Sequence, residues 1–531
     1  MNNLNRLILK VWQQEKFIYL VLLLVVFFVR FPTLQQPFEN DSGAIAYHAR
    51  LITRGFTLYK DHHPAHHMPG TYYLYAASFF LLGDKVQSVR IILLLWTGIS
   101  VVLVYCLGKM VAGKKAGFIA GLNSAVMLSH GFIAGTNTKI ESFVILPQVT
   151  AVFVLLTLVK KKSPSWKYFF VGFLSFAVIF FKANYVSVIC LTGLLIFREL
   201  ANDWKNQNLW KQTIARSGWA IVGFALPAVL LITYYAANES LERFLNVFTL
   251  GFSYTQITQD QLASPLYIVI YPLAILGKSN FILLLSALAG MLLYFLNLRR
   301  KPTTTQNAKN HSDPDFLPFI IFWFCFTFIE TGISRTFLHN YYLIFIPPLT
   351  IISAWFIVKL AHDIHASLPN LPNYFPKIAL LLMALFAFVF GVAPSYPYLK
   401  SFYTEYLTGN VDYNTVLQEG LPEGVAETMQ VMKEIGQYIN TNTQPSDTIY
   451  YWSNFMELYY YADRLSSADI IWPLYVDAFG NKEQIFQAEY ILMGDTPLGY
   501  QETPDWFKEG LNNKYELEIT LYGQQLYRHI R

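Results

Sequence analysis

The chain has 531 residues, 54% of them hydrophobic, 17% aromatic and only 14% charged. So much apolar sequence, spread along most of the length, excludes a soluble multidomain protein. The balance of 39 basic against 34 acidic residues leaves +5, too little for a nucleic-acid footprint, so no nucleic-acid partner is expected.

From the N-terminus, Arg6, Lys10 and Lys16 precede an apolar run at 17–31. No small-residue cleavage site stands before Arg30-Phe31-Pro32, so the run reads as a retained span, not a signal peptide. Further apolar windows fall at 87–108, 117–135, 142–159, 168–181, 184–197, 217–236, 278–298, 316–333, 341–360 and 377–394, roughly eleven in all. Lys and Arg cluster at every second connection, at Lys109/Lys114/Lys115, Lys160 to Lys167, Arg198 to Arg216 and Arg299/Arg300/Lys301. By the positive-inside bias those connections and the N-terminus are cytoplasmic. The outer set is then 32–86, 136–141, the break at Lys182-Ala183-Asn184-Tyr185, 237–277, 334–340 and everything after 395. Residues 168–197 are read as two short helices, because one long helix would bury Lys182 unpaired at mid-membrane. Cys106, Cys190 and Cys325 lie in apolar runs without metal-ligand spacing and read as packing residues.

Beyond residue 395 the sequence turns polar and Tyr-rich. Val425 to Ile439 has helical periodicity, Thr448 to Trp452 reads as a strand, Asn454 to Tyr461 returns as a helix, and Tyr490 to Met493 and Tyr515 to Tyr527 supply further strands. The expected architecture is a polytopic α-helical membrane module over 1–394, with its outer loop at 32–86, followed by a soluble extracytoplasmic α/β domain over 395–531.

The charge partition gathers Asp41, Glu141, Lys182, Arg335 and His339 at one membrane face. A carboxylate there suits a general base that takes the proton from an incoming hydroxyl, although Asp41 also fits as the N-cap of the helix that follows. Glu141, at a helix start, either orients a substrate or base, pairs with Lys139, or is held by the helix dipole. Lys182 and Arg335 suit a leaving phosphate, and His339, four residues after Arg335, shares its face. Four of the eleven histidines, His62, His63, His66 and His67, fall within six positions. Pro64 and Pro69 break that segment, so metal binding by these four is the weaker alternative to phosphate contact by His67. No cofactor is required by the sequence; a divalent metal stays open.

Taken together, several segments resemble the C-type (GT-C) glycosyltransferases that use polyprenyl-phosphate sugars, in particular family 39 protein mannosyltransferases and lipid A aminoarabinose transferases. They are Arg30-Phe31-Pro32 before Asp41, Gly55 to Asp61 with Tyr59, Pro69 to Leu74, Glu141, Lys182, and Arg335 to Tyr342 with Tyr341, leading to Pro347-Pro348. The chain departs from the family at Asp41-Ser42, where Asp-Glu is common, and at His67-Met68-Pro69, where Lys-Pro-Pro is common. The first departure leaves one carboxylate at the catalytic position.

The resemblance implies a GT-C-like enzyme of the plasma (inner) membrane that takes a sugar from a polyprenyl-phosphate carrier, with inversion, to a glycan, lipid or protein acceptor. Asp41 would be the base and Glu141 its helper. Lys182, Arg335, His339, His67, Tyr59 and Tyr341 would hold the substrates, and the aromatic segment Phe248 to Tyr271 would wall the site. The rival expectation is a transporter or flippase of a lipid-linked glycan.

Overall fold

Backbone polar groups in a bilayer have to be satisfied within their own segment, so apolar windows of this length fold as helices. Each window lies on a helix in the computed structural model, which describes residues 14–202, 205–259, 266–299, 315–334, 337–367, 375–476, 482–498 and 500–530. The first helix, α1, is Glu15–Arg30. Next come α2 (Asn40–Thr53) and α3 (Gly70–Leu82) in the first long connection. The rest of the membrane part is α4 (Val86–Met127), α5 (Ile140–Lys160), α6 (Tyr168–Phe181), α7 (Ser187–Asn202), α8 (Gln207–Ala237), α9 (Leu241–Gln259), α10 (Tyr267–Arg299), α11 (Leu317–Ser334), α12 (Ile346–Ser367) and α13 (Phe375–Val392).

Among the described residues, 7 helical segments are long and apolar enough to cross a membrane, and shorter apolar helices accompany them at Ser165–Phe181, Ser187–Arg198 and Leu317–Gly332. This is a multi-pass membrane protein. One long segment holds two of the expected windows: α4 has 42 residues but leaves helical geometry at Ala112 and Gly113. As a straight rod it would run about 63 Å, twice a bilayer core. Gly113 instead adopts φ +81°, which glycine enters without a Cβ penalty, and the chain turns back. A Cβ on Gly108 would meet Gly117 Cα at 3.0 Å, so the two arms run antiparallel in close contact. The second arm stops at Met127, short of the expected end at 135.

The connection expected over 237–277 is largely helical. The spacing of Leu241, Phe244, Leu245, Phe248 and Phe252 is that of one helix face, and those residues form α9. In α10 the backbone breaks at Asn280, whose Oδ1 accepts from Leu283 N at 3.0 Å and caps the second part. The separation of α6 from α7 is as expected: Lys182 is extended (φ −152°, ψ 115°).

The C-terminal part carries a five-stranded sheet in the order β2-β1-β3-β5-β4. Its strands are β1 (Thr448–Trp452), β2 (Leu465–Ser466), β3 (Tyr490–Met493), β4 (Tyr515–Leu521) and β5 (Gln524–His529). Strand β1 runs parallel to β2 and β3, whereas β5 is antiparallel to β3 and β4. Helices α14 (Val425–Asn442), α15 (Glu457–Ala462) and α16 (Asp505–Lys514) complete the unit. The sheet unit sits on α2. Met456 N donates to Asn40 Oδ1 at 3.1 Å, Ser466 N to Tyr47 Oη at 2.9 Å, and the backbone of His63 pairs with that of Ile470. Arg50 binds Asp84 at 2.5 Å and Asp463 at 3.1 Å, donates to the Tyr460 carbonyl at 2.6 Å, and lies 4.0 Å over the Tyr460 ring.

Candidate active site

Two ion pairs form where the first long connection meets the membrane helices. Asp41, in the first turn of α2, accepts a hydrogen bond at 2.8 Å from Lys139, which stands just before α5. Glu39 is the N-cap residue, and neither it nor Asp41 caps α2 through its side chain. The capping role considered for Asp41 is therefore not the one its carboxylate fills. Glu141 pairs with Lys182 instead of Lys139, and its second oxygen accepts from Asn340 Nδ2 at 2.6 Å. The Lys182 ammonium also lies 3.7 Å above the Tyr341 ring. The turn after Lys182 is held by α11: Asn184 donates to the Glu330 carbonyl at 2.7 Å, and Ser187 N to the Glu330 carboxylate at 2.6 Å.

Asp41, His66, His67, Lys139, Glu141, Lys182 and Tyr341 line one cavity of about 1370 Å³. Segments 41–67, 139–141, 182 and 341, far apart along the chain, thus share one chamber. Tyr59 does not line it. That side chain is buried below, donating to the His67 carbonyl at 2.8 Å, and so supports the loop. His339 lies outside the lining too, with Nδ1 at 3.0 Å from the Phe132 carbonyl oxygen; its neighbours Asn340 and Tyr341 face the chamber in its place. Arg335 lies outside the described residues.

The histidine-rich segment spreads its rings onto separate partners. His62 meets His48 (Nδ1 to Nδ1, 2.6 Å), His63 the Arg243 carbonyl (2.9 Å), His66 the Tyr475 hydroxyl (2.5 Å) and His67 the Tyr72 hydroxyl (2.9 Å). Among the described residues no group of three or more His, Cys, Asp and Glu is placed to hold a metal ion, so the four-histidine alternative has no common centre. The cause is local: the turns around Pro64 and Ala65, with Ala65 at φ +55°, send successive rings apart.

Electrostatically the Asp41 end is crowded. Burial raises the pKa of Asp41, but Lys139, by charge and hydrogen bond, outweighs it with help from His67 and Lys182, and the carboxyl is held below its ordinary value. Burial works against the charge on Lys139, yet the facing Asp41 and Glu39 raise its pKa. Burial brings His67 down to about 4, so its ring is neutral near pH 7.

The lone carboxylate read from Asp41-Ser42 has company. Glu39 accepts from Ser42 Oγ at 2.8 Å, and Glu457 enters from the C-terminal unit against Gly43, where a Cβ would collide with it. Burial raises the pKa of both Glu39 and Glu457, with Asp41 adding to each. Their outer oxygens have no hydrogen-bond partner among the described residues. Sequence reasoning missed Asn340 and Glu457 and gave no site role to Glu39 or to Lys139, which it read only as a partner for Glu141. Lys139 and Asn340 adjoin expected site segments, whereas Glu457 sits in an amphipathic stretch with nothing to mark it.

Away from the ion pairs the wall becomes apolar, with Val247, Phe248 and Phe252 of α9, Ile268 and Val269 of α10 and Phe328 and Ile329 of α11. Phe248, Phe252 and Ile329 are 51%, 65% and 53% exposed, so this side of the chamber opens along the apolar surface of the helices.

Residues 62–232 match the family model of dolichyl-phosphate-mannose-protein mannosyltransferases. No curated protein matches the chain in sequence. In structure it is similar to ArnT from Cupriavidus metallidurans bound to undecaprenyl phosphate, with 14% identity, a TM-score of 0.59 and coverage of 96% of this chain and 97% of that one. It is also similar to the Archaeoglobus fulgidus oligosaccharyltransferase AglB in complex with an inhibitory peptide and a dolichol-phosphate, with 12% identity, a TM-score of 0.53 and coverage of 90% and 69%. An Archaeoglobus fulgidus oligosaccharyltransferase tethered with an acceptor peptide gives 11% identity and a TM-score of 0.53 over 90% and 68%. The fold is that of the GT-C glycosyltransferases, and the resemblance read from the sequence holds both in the family match and in the architecture.

Proposed function

We propose that the protein is a glycosyltransferase that moves a sugar from a polyprenyl-phosphate carrier to an acceptor hydroxyl, with inversion at the anomeric carbon. The observation that carries this reading is one chamber with two carboxylate–lysine pairs in one part of its wall and exposed apolar side chains of α9, α10 and α11 in another. Support comes from the undecaprenyl phosphate in the ArnT structure and the dolichol-phosphate in the AglB complex, together with the family match.

In the proposed step the acceptor oxygen attacks the anomeric carbon as its proton passes to Asp41. The bond from that carbon to the phosphate oxygen breaks, and the phosphate leaves with the electron pair. Asp41 suits the base because its pairing with Lys139 keeps it ionised. Lys182, held by Glu141 and Tyr341, supplies fixed positive charge for the leaving oxygen, and Arg335 is the second cation proposed from the sequence. His67 is a neutral hydrogen-bonding group on the same wall. The prenyl chain would lie along α9, α10 and α11. The site would face the outer leaflet of the plasma membrane, with the N-terminus cytoplasmic, 1–394 as the membrane module and 395–531 as the extracytoplasmic domain.

The test is Asp41→Asn in the purified full-length protein with a labelled polyprenyl-phosphate sugar. Transfer is expected to fall by roughly a hundredfold or more while the protein keeps its melting profile. Full turnover by this variant would remove Asp41 as the base. Movement of the labelled lipid between leaflets with its sugar linkage intact would replace the enzyme by a transporter.

A further inference from the structure

The chamber has a second, chemically different wing under the C-terminal unit. Here Asn40, His66, Asn454, Trp472 and Tyr475 line the wall next to Asp41. Trp472 is backed by His48, stacked at 5.6 Å and 22°, and meets the His67 ring edge to face at 6.0 Å. His66 stacks on Tyr254 at 4.5 Å and 14° and bonds the Tyr475 hydroxyl. The two asparagines are fixed through their oxygens: Asn40 Oδ1 accepts from Met456 N at 3.1 Å and Asn454 Oδ1 from Leu498 N at 2.9 Å. Among the described residues neither amide Nδ2 has an acceptor, so each is left to donate. The wing thus presents aromatic rings and amide donors, and its lysine, Lys139, is already paired with Asp41.

Resting on the proposed transfer, we infer that this wing is the acceptor subsite and that it takes a neutral pyranose, the ring lying against Trp472 with its hydroxyls toward Asn40, Asn454 and Asp41. A pyranose has an edge of hydroxyls and a face of C–H groups; the face suits the electron-rich face of an indole, and the hydroxyls accept from amide N–H groups. A long prenyl chain suits neither, and the apolar wing on α9, α10 and α11 already matches it. An extended peptide would call for backbone pairing at a strand edge, and β1, the strand that leads to the lining residue Asn454, already has partners on both sides. The sugar hydroxyl held beside Asp41 is the one that would lose its proton.

The test uses the full-length protein in lipid nanodiscs and two separate readouts. Saturation-transfer NMR is recorded with methyl α-pyranosides of gluco, galacto and manno configuration and with a Ser/Thr-containing peptide. Undecaprenyl phosphate binding is measured by native mass spectrometry. At least one pyranoside is expected to show saturation strongest on its C–H face, and the peptide none. Trp472→Ala should reduce that signal about tenfold, and Asn454→Ala several-fold, with undecaprenyl phosphate affinity kept within about twofold. Should Trp472→Ala misfold, Trp472→Phe keeps a smaller ring and should give an intermediate signal. Saturation of the peptide alone, no saturation of any pyranoside, or a signal indifferent to Trp472 and Asn454 would overturn the proposal. Loss of undecaprenyl phosphate binding by the wild-type protein would instead strike the donor reading, whatever the pyranosides do.

Discussion

Asp41 and Lys139 act as one unit, and their coupling fixes a pH response. Because Lys139 holds the Asp41 carboxyl below its ordinary value, the proposed base is ionised through the neutral range, and any stability it contributes is lost only as pH falls through that depressed value. Lys139→Met removes the counter-charge while burial and Glu39 remain, so the acid limb of the kcat/KM profile is expected to move to higher pH. An unmoved limb would assign the ionisation to another group. Lys182→Met leaves the buried Glu141 without its counter-charge, although Asn340 still bonds it, and is expected to destabilise the protein by about 3 kcal/mol, read as a lower melting temperature in detergent. Legibility at this scale followed local marking. Asp41, Glu141 and Lys182 were readable because each interrupts an apolar pattern at the same face. Their true pairings were not, because Asp41–Lys139 and Glu141–Lys182 join different loops, and charge counting cannot tell which lysine a carboxylate takes.

The helices obey period and length, and their joints obey glycine. Gly172 of α6 faces the backbone of Ala220 on α8, and Gly223 of α8 faces the Phe169 carbonyl of α6, so the two helices touch backbone to backbone. Gly223→Leu is expected to force them apart and lower the melting temperature in detergent; Gly218→Leu, at a site with open space, is the control. The apolar windows predicted the helices well, since hydrophobic length is a local property. The fold-back at Gly113 was legible, because Lys109, Lys114 and Lys115 part the two apolar windows, whereas the break at Asn280 was not, because a kink inside an apolar run is set by what packs against it, here the Ala387 carbonyl. The α9 helix was mistaken for a loop because its polar flank masked the face formed by Phe244, Phe248 and Phe252. Strands β1 and β3 were read at their observed bounds, helped by runs of Tyr, Ile and Trp between turn signals.

On the scale of the whole molecule, the C-terminal unit forms part of the chamber wall, and Arg50 is the bolt that keeps it there. Arg50→Ala cuts contacts with Asp84, Asp463 and the Tyr460 carbonyl together. Amide hydrogen exchange over 457–466 is expected to quicken at least several-fold while α5 and α12 stay protected. Unchanged exchange there would mean that the docking rests on the other contacts, those of Met456 with Asn40, Ser466 with Tyr47 and His63 with Ile470. The chamber also has one side open along the exposed apolar faces of the helices and another lined by the sheet unit. If a carrier slides in through the first and a hydrophilic partner arrives through the second, the two never compete for a doorway. Spent carrier can drift off sideways while product leaves upward, and turnover becomes answerable to how fluid and how thick the surrounding bilayer is.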